Sequence, residues 1–271
     1  MIAAGATVGA LQAALPLEPL ENRILLCHAL GLTRVGLITQ SGRALTEAEA
    51  ASLSALVARR QHGEPIAYIV GRREFFGLDF RVTDAVLIPR PDTELIVELA
   101  LDRLPPQGRA LDMGTGSGAI AVAIAHTRPD ASVTALDVSE AALEIARGNA
   151  AANGARVRFL QSDWYEALGG EVFELIASNP PYIADGDEHL SQGDLRFEPA
   201  GALTDHADGL SALRAIIAGA QAHLVPQGWL LMEHGYDQAE QVRALLAAQG
   251  YADVQSWRDL AGIERVTGGR T

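Results

Sequence analysis

Residues 111–125 read LDMGTGSGAIAVAIA: an apolar run, a glycine-rich turn and a second apolar run. The first run, beginning at Ala110, is short and unbroken, as a strand buried on both faces is. The second, 119–126, is rich in alanine and suits a helix. Between them the glycines let the chain turn tightly and bring its backbone close to a ligand at the helix N-terminus. Further short apolar runs at 133–136, 157–160, 173–177 and 229–232 have helical segments at 140–153, 210–224 and 238–249 between most of them. That alternation implies an α/β fold with a mostly parallel sheet covered on both faces. Ligands of such sheets sit beyond the carboxyl ends of the strands, which makes the loops there the candidate sites.

Gly114, Gly116 and Ala119 satisfy the dinucleotide pattern G-x-G-x-x-G/A, with Thr115, Ser117 and Gly118 completing the loop. Asp137 ends the next strand, where a carboxylate is placed to hold ribose hydroxyls. Nicotinamide, flavin and S-adenosylmethionine binders share such a loop, and a tight turn with no ligand also uses glycine. Two details favour S-adenosylmethionine. Asp112, two residues before the first glycine, is placed to meet the ammonium of a methionine moiety, whereas a pyrophosphate gains nothing from that charge. The third strand ends in Ser162-Asp163-Trp164, where Asp163 can accept from an adenine amino group and Trp164 can pack near its ring.

The fourth strand runs into Asn179-Pro180-Pro181-Tyr182. Asn-Pro often starts a turn, so a strand-terminating turn is one reading. The other is a clamp for a planar NH₂ group conjugated to a carbonyl or ring, whose delocalised lone pair makes it a poor nucleophile. The Asn179 side-chain carbonyl and the Pro180 backbone carbonyl are two acceptors for its two N–H bonds. Pro181 biases Pro180 toward an extended conformation, and neither proline has an N–H to compete. Tyr182 can stack on the planar group. Following the glycine loop in the same sheet, the clamp is the better reading.

The first 70 or so residues read as helices. Thr46 and Glu49 form a capping box before an apolar stripe of Leu53, Leu56 and Val57, with Gly63 closing the helix. A second helix covers 20–30, with Ile24, Leu25 and Cys27 inward and Cys27 and His28 read as packing residues rather than ligands. Residues 74–82 alternate like a hairpin broken at Gly77. The resulting division is a helical bundle at 1–72, a linking β-hairpin at 73–85 and a catalytic domain at 86–271.

Bulk composition narrows the function classes. The 271 residues are 48% hydrophobic and 20% charged, an ordinary globular balance. No uninterrupted apolar stretch approaches about 18 residues, and the N-terminus lacks the basic region of a signal peptide, which predicts a cytoplasmic protein without a membrane partner. The single cysteine excludes an internal disulfide framework and CxxC metal sites, and the scattered histidines form no HExxH, so no metal is expected. All 21 basic residues are arginine, which removes lysine-based chemistry. The net charge is −13, and residues 73–271 alone carry 29 acidic and 15 basic side chains, a net of −14. Such a surface repels a phosphate backbone, so no stable nucleic-acid partner is expected. His234, after the fifth strand, is read as a structural hydrogen-bonding residue. The long polar loop 184–209 is expected to border the acceptor channel and to order on substrate binding.

Together GTGSG, Asp137, SDW and NPPY resemble the class I S-adenosylmethionine-dependent methyltransferases that modify planar amino groups. REFFGLDFRV, LIPRPDTE, LDMGTGSGAIAVAIA, SDW, IASNPPYI, FEPAGAL and RDLAGIERVTGGR resemble more narrowly the HemK/PrmC glutamine methyltransferases. The resemblance implies a Rossmann-like, mostly parallel seven-stranded sheet behind a small N-terminal helical bundle that recognises the target. It implies methylation of the glutamine side-chain amide in the Gly-Gly-Gln (GGQ) motif of peptide-chain release factors, with S-adenosylhomocysteine as by-product. Residues 114–118, Asp112, Asp137, Asp163, Trp164 and Asn179 would then contact the cofactor, Arg90 in the 89–94 stretch would cover it, and Asn179 to Tyr182 would hold the glutamine. A ribosomal-protein glutamine is the alternative target with the same chemistry. An adenine-N6 methyltransferase is opposed by the acidic charge. A nicotinamide oxidoreductase leaves NPPY and Asp112 unexplained, and a cofactor-sensing scaffold needs no acceptor clamp.

Overall fold

The computed structural model describes residues 2–271. They form two compact units, divided between Gly71 and Arg72. Among the described residues no helix is long and apolar enough to cross a membrane.

The first unit is five helices, α1 (Val8–Ala14), α2 (Pro19–Leu30), α3 (Arg34–Thr39), α4 (Glu47–Gln61) and α5 (Ile66–Val70). Threonine starts three of them: the side chains of Thr7, Thr33 and Thr46 accept from the backbone N–H of Ala10, Gly36 and Glu49. Glu49 answers the Thr46 N–H, completing the capping box read from the sequence. Helices this short are marginal alone and need packing. Val8, Leu25, Leu26, Leu37, Leu53 and Val57 supply it as one apolar cluster, with Cys27 packed on its edge. Asn22 is buried because its amide donates to the carbonyls of Leu15 and Leu17, which fixes the turn between α1 and α2.

The second unit begins with β1 (Arg72–Phe75) and β2 (Leu78–Arg81), then α6 (Glu94–Arg103), β3 (Arg109–Met113), α7 (Ala119–Thr127), β4 (Ser132–Asp137), α8 (Glu140–Ala152) and β5 (Val157–Gln161). It continues with β6 (Phe173–Ser178), α9 (Ala200–Leu203), α10 (Ser211–His223), β7 (Leu224–Glu233), α11 (Ala239–Ala248), β8 (Ala252–Arg258) and β9 (Glu264–Arg270). The seven-stranded sheet has the order β5-β4-β3-β6-β7-β9-β8. Its first five strands are parallel, and β9 runs antiparallel to both β7 and β8.

Strand periodicity builds the two covered faces. Ala110, Leu175 and Leu231 enter one cluster with α6 and α7, while their chain neighbours Leu111, Ile176 and Leu230 enter the other with α10 and α11. Side chains at successive positions point to opposite faces, so a near-continuous apolar run serves both layers. Each of these leucine and isoleucine side chains contributes about 1.5–3 kcal/mol. The hairpin β1–β2 turns at Phe76 and Gly77, both with positive φ (52° and 75°), as a type I′ turn requires. It is not a free link. Phe75 and Phe80 belong to the larger unit's core, and Asn149 on α8 both accepts from the Arg81 N–H (2.8 Å) and donates to its carbonyl (3.0 Å).

Candidate active site

In the sheet β4 and β5 lie on one side of β3, and β6 and β7 on the other. A crevice opens at such a reversal, beyond the carboxyl ends of the strands. Two loops enter it side by side, because Met113 pairs with Ser178 across β3 and β6. The Ser178 hydroxyl locks that register by donating to the Met113 carbonyl at 2.7 Å. The glycine loop leaves one strand and Asn179-Pro180-Pro181-Tyr182 leaves its neighbour. Between them lies a cavity of about 310 Å³.

Gly114, Thr115, Gly116 and Ser117 line this cavity with Asp137, Asp163, Trp164, Asn179, Pro181, Arg90 and Thr93. Gly114 and Gly116 have positive φ (69° and 55°), and a Cβ at either position would meet nothing within 4 Å, so the loop presents bare backbone. Gly118 differs. A Cβ there would stand 3.1 Å from that of Ala146, so this glycine serves the packing of α7 on α8 and is not on the cavity wall. Asp137 braces the loop by accepting from the Gly116 N–H at 2.8 Å and the Ser139 N–H at 2.9 Å. Burial raises its pKa while those bonds pull it back.

Asp112, read from the sequence as meeting an ammonium, lies behind the loop. This side chain is 1% exposed and does not line the cavity. Its Oδ2 accepts from the Thr115 hydroxyl at 2.6 Å and the Ala121 N–H at 3.1 Å, so it holds the loop and the start of α7 from behind. Its Oδ1 has no partner among the described residues. Burial pushes this carboxyl up to about 7, against those two hydrogen bonds.

Beyond β5, Asp163 and Trp164 stand on the cavity wall. Trp164 sits at φ 43°, a left-handed conformation unusual for an aromatic residue. Ser162 sustains it: its hydroxyl donates to the Trp164 carbonyl (2.8 Å) and accepts from the Ala167 N–H (3.0 Å). Of the NPPY residues, Asn179 and Pro181 line the cavity, Pro180 is buried, and Tyr182 stands off the wall with its hydroxyl 3.5 Å from Glu233 Oε1. The Tyr182 carbonyl is fixed by Gln238 Nε2 at 2.9 Å. Asn179 Nδ2 donates to Thr93 Oγ1 at 3.2 Å, which leaves the Asn179 side-chain oxygen available as an acceptor.

Three contributors escape a residue-by-residue reading. Thr93 anchors Asn179. Glu198, whose side chain is wholly buried, pairs with the Arg90 guanidinium and accepts from the Ile88 N–H at 3.0 Å. That carboxylate ties the polar loop after β6 to the segment before α6, on both of which the cavity wall depends. Glu233, at the end of β7, is 2% exposed, and burial pushes its carboxyl up to about 7. The only sequence signal for the latter two was a carboxylate within otherwise apolar surroundings, in FEPAGAL and in LLMEHG. His234 is buried, its ring nitrogens bonded to Thr267 Oγ1 (2.7 Å) and the Gly235 carbonyl (2.8 Å).

Comparison with known proteins places this geometry in a family. The model described as PrmC N-terminal domain matches residues 6–71, and that described as Methyltransferase small domain matches residues 91–204. A release factor glutamine methyltransferase of Burkholderia pseudomallei is 57% identical, over 98% of this chain and 96% of its own length. One from Neisseria gonorrhoeae is 50% identical over 94% of each chain. Among solved structures, a methyltransferase from Pyrococcus furiosus superposes with a TM-score of 0.54 at 23% identity, over 80% of this chain and 98% of its own. The hMettl16 catalytic domain superposes with a TM-score of 0.59 at 16% identity, over 84% and 83%. These two share the fold. The identity to the former pair, sustained across nearly the whole of both chains, shows that this chain belongs to the release factor glutamine methyltransferase family.

Proposed function

We propose that this chain transfers a methyl group from S-adenosylmethionine to the side-chain amide nitrogen of the glutamine in the GGQ motif of peptide-chain release factors, releasing S-adenosylhomocysteine. The observation that carries the reading is that the glycine loop and Asn179-Pro180-Pro181-Tyr182 leave paired strands into one cavity. The bound donor supplies an electrophilic methyl group on a sulfonium sulfur. The residues present fit it: open backbone at Gly114 and Gly116, Asp137 oxygens with spare accepting capacity for ribose hydroxyls, and Asp163 beside Trp164 for a flat heteroaromatic ring. Asp112, when ionised, adds negative charge behind the loop with one oxygen unpartnered, which favours an ammonium over a pyrophosphate.

The protein's part in the chemistry is orientation. The Asn179 Oδ1 and the Pro180 carbonyl accept the two N–H bonds of the glutamine amide, turning its nitrogen toward the methyl carbon and enriching its electron density. As the N–C bond forms and the C–S bond breaks, the amide proton becomes acidic and leaves to water, so no dedicated base is needed. The helical unit carries target recognition, and action on release factors places the enzyme in the cytoplasm. The acidic charge argues against a nucleic-acid substrate. The test is methyl transfer from radiolabelled S-adenosylmethionine to purified release factor, ribosomal proteins and duplex DNA in parallel. Label confined to the release factor supports the reading, and label on either of the others reassigns the target.

A further inference from the structure

Outside the cavity, apolar side chains are unevenly spread over the larger unit's surface. Among its described residues four large apolar side chains are exposed, Val138, Tyr236, Leu260 and Ile263. One exposed leucine needs no explanation, but the shared location of these four does. Val138 follows β4 and lines the cavity. Tyr236 follows β7, the parallel neighbour of β6. Glu233, the last residue of β7, pairs with Val266 of antiparallel β9, so the β8–β9 turn carrying Leu260 and Ile263 lies beyond the same end. All four therefore stand on the sheet edge where NPPY follows β6, and the last three are not part of the cavity wall.

Both turns are fastened to the site. Gln238 accepts from the Gly235 N–H at 2.8 Å and donates to the Tyr182 carbonyl at 2.9 Å, which ties the turn bearing Tyr236 to the end of NPPY. Asp259 Oδ1 accepts from the Ala261 and Ile263 N–H groups, both at 2.9 Å, and its Oδ2 accepts from Arg265 Nε at 3.1 Å. That Nε lies 3.6 Å from Asp92 Oδ2, two residues from Arg90 on the cavity wall. Leu260 is thus held fully exposed at the tip of a braced turn, which leaves little conformational freedom to lose on binding. Charge says what would cover it. The segment 184–209, which follows NPPY at the same edge, carries seven carboxylates against one arginine, with Asp185, Asp187 and Glu188 exposed. Apolar side chains beside an acidic strip match a protein face with an apolar patch among basic residues. We infer that Tyr236, Leu260 and Ile263 form a docking surface for a folded, basic protein domain that presents its glutamine loop to the cavity. This rests on the proposed function and deepens it, adding to the helical unit a second place where the substrate is recognised.

The experiment compares the full-length wild type with Tyr236→Ser, Leu260→Ser and the double variant, using a purified release factor in excess. Single-turnover methylation gives the half-saturating release-factor concentration and the plateau rate. Calorimetry gives S-adenosylmethionine affinity, and melting temperature reports folding. Both side chains are exposed, so neither substitution should lower the melting temperature. Each single variant should raise the half-saturating concentration about 5- to 30-fold, the scale of an apolar anchor at an interface, and the double variant should raise it further. Plateau rate and donor affinity should stay within about twofold of the wild type. Added salt should raise the wild-type half-saturating concentration, because it screens attraction between an acidic strip and a basic face. A half-saturating concentration unchanged in the folded double variant overturns the inference, as does one indifferent to salt. So does a wild type that sediments as a dimer while Leu260→Ser sediments as a monomer, which gives the surface to a second copy of the chain. A wild-type enzyme that leaves the release factor unlabelled fails the proposed function itself, a result separate from any difference between variants.

Discussion

Replacing Asp112 by asparagine should change how stability depends on pH, by an amount readable from the site. The carboxyl is buried, and its pKa stands at about 7 against an ordinary 3.8. At about 1.4 kcal/mol per pH unit, that span corresponds to about 4 kcal/mol. The sign follows from proton binding. Below about pH 4 the group is protonated both folded and unfolded and contributes nothing. Between about pH 4 and 7 the unfolded chain releases its proton while the native chain retains it, so wild-type stability declines. Above about 7 both states are ionised and the loss is constant. Asparagine can still accept from Thr115 and Ala121 but puts an N–H₂ where Oδ1 has no partner, a pH-independent cost of about 1–3 kcal/mol. Urea unfolding of both proteins from pH 4.5 to 8 gives the difference curve, in which other groups, Glu233 included, cancel. The variant should gain about 3 kcal/mol on the wild type between pH 4.5 and 8, the first part of the ~4 kcal/mol being lost already below pH 4.5. A flat difference curve would refute the claim that Asp112 is held in a dry pocket behind the loop.

Other consequences concern the same walls. Gly118→Ala adds a Cβ at φ 84° against Ala146 and should cost about 2–5 kcal/mol of stability, whereas Gly116→Ala meets no neighbour and should cost only about 1–2; denaturant midpoints compare them. Asn179→Ala should leave donor affinity nearly intact and cost about 3–4 kcal/mol in turnover, measured by calorimetry and single-turnover kinetics; equal loss of donor binding would assign Asn179 to the cofactor. Glu198→Gln weakens the tie to Arg90 and should lower stability by about 1–3 kcal/mol, with faster hydrogen exchange across 184–204.

Local rules made much of this molecule legible. The capping box at Thr46 and Glu49, the hairpin break at Gly77 and the strand–glycine–helix unit at 110–126 each follow from short-range chemistry that tertiary structure did not override. The last two strands were harder. β8 is an edge strand with a largely solvated face, and β9 carries Gly268 and Gly269 close against the Leu230 carbonyl and the Tyr251 side chain, so neither shows an apolar run. The site divides similarly. Residues whose backbone builds the cavity, such as Gly114 and Asn179, announce themselves by pattern. Thr93, Glu198 and Glu233 act through partners 86, 108 and 51 positions away, and no local signal marks such pairs. Sequence position put Asp112 beside the loop, and strand periodicity turns its side chain behind it, which no sequence pattern shows.

On the proposed function, the cavity between β3 and β6 delivers a methyl group to a glutamine amide nitrogen. The most direct test is mass mapping of a release factor after reaction with isotopically labelled S-adenosylmethionine and this enzyme. A single labelled methyl is expected on the side-chain nitrogen of the GGQ glutamine, absent when that glutamine is replaced by glutamate. A methyl found on any other residue, or a glutamine left unmodified by an enzyme that binds the donor, would contradict it.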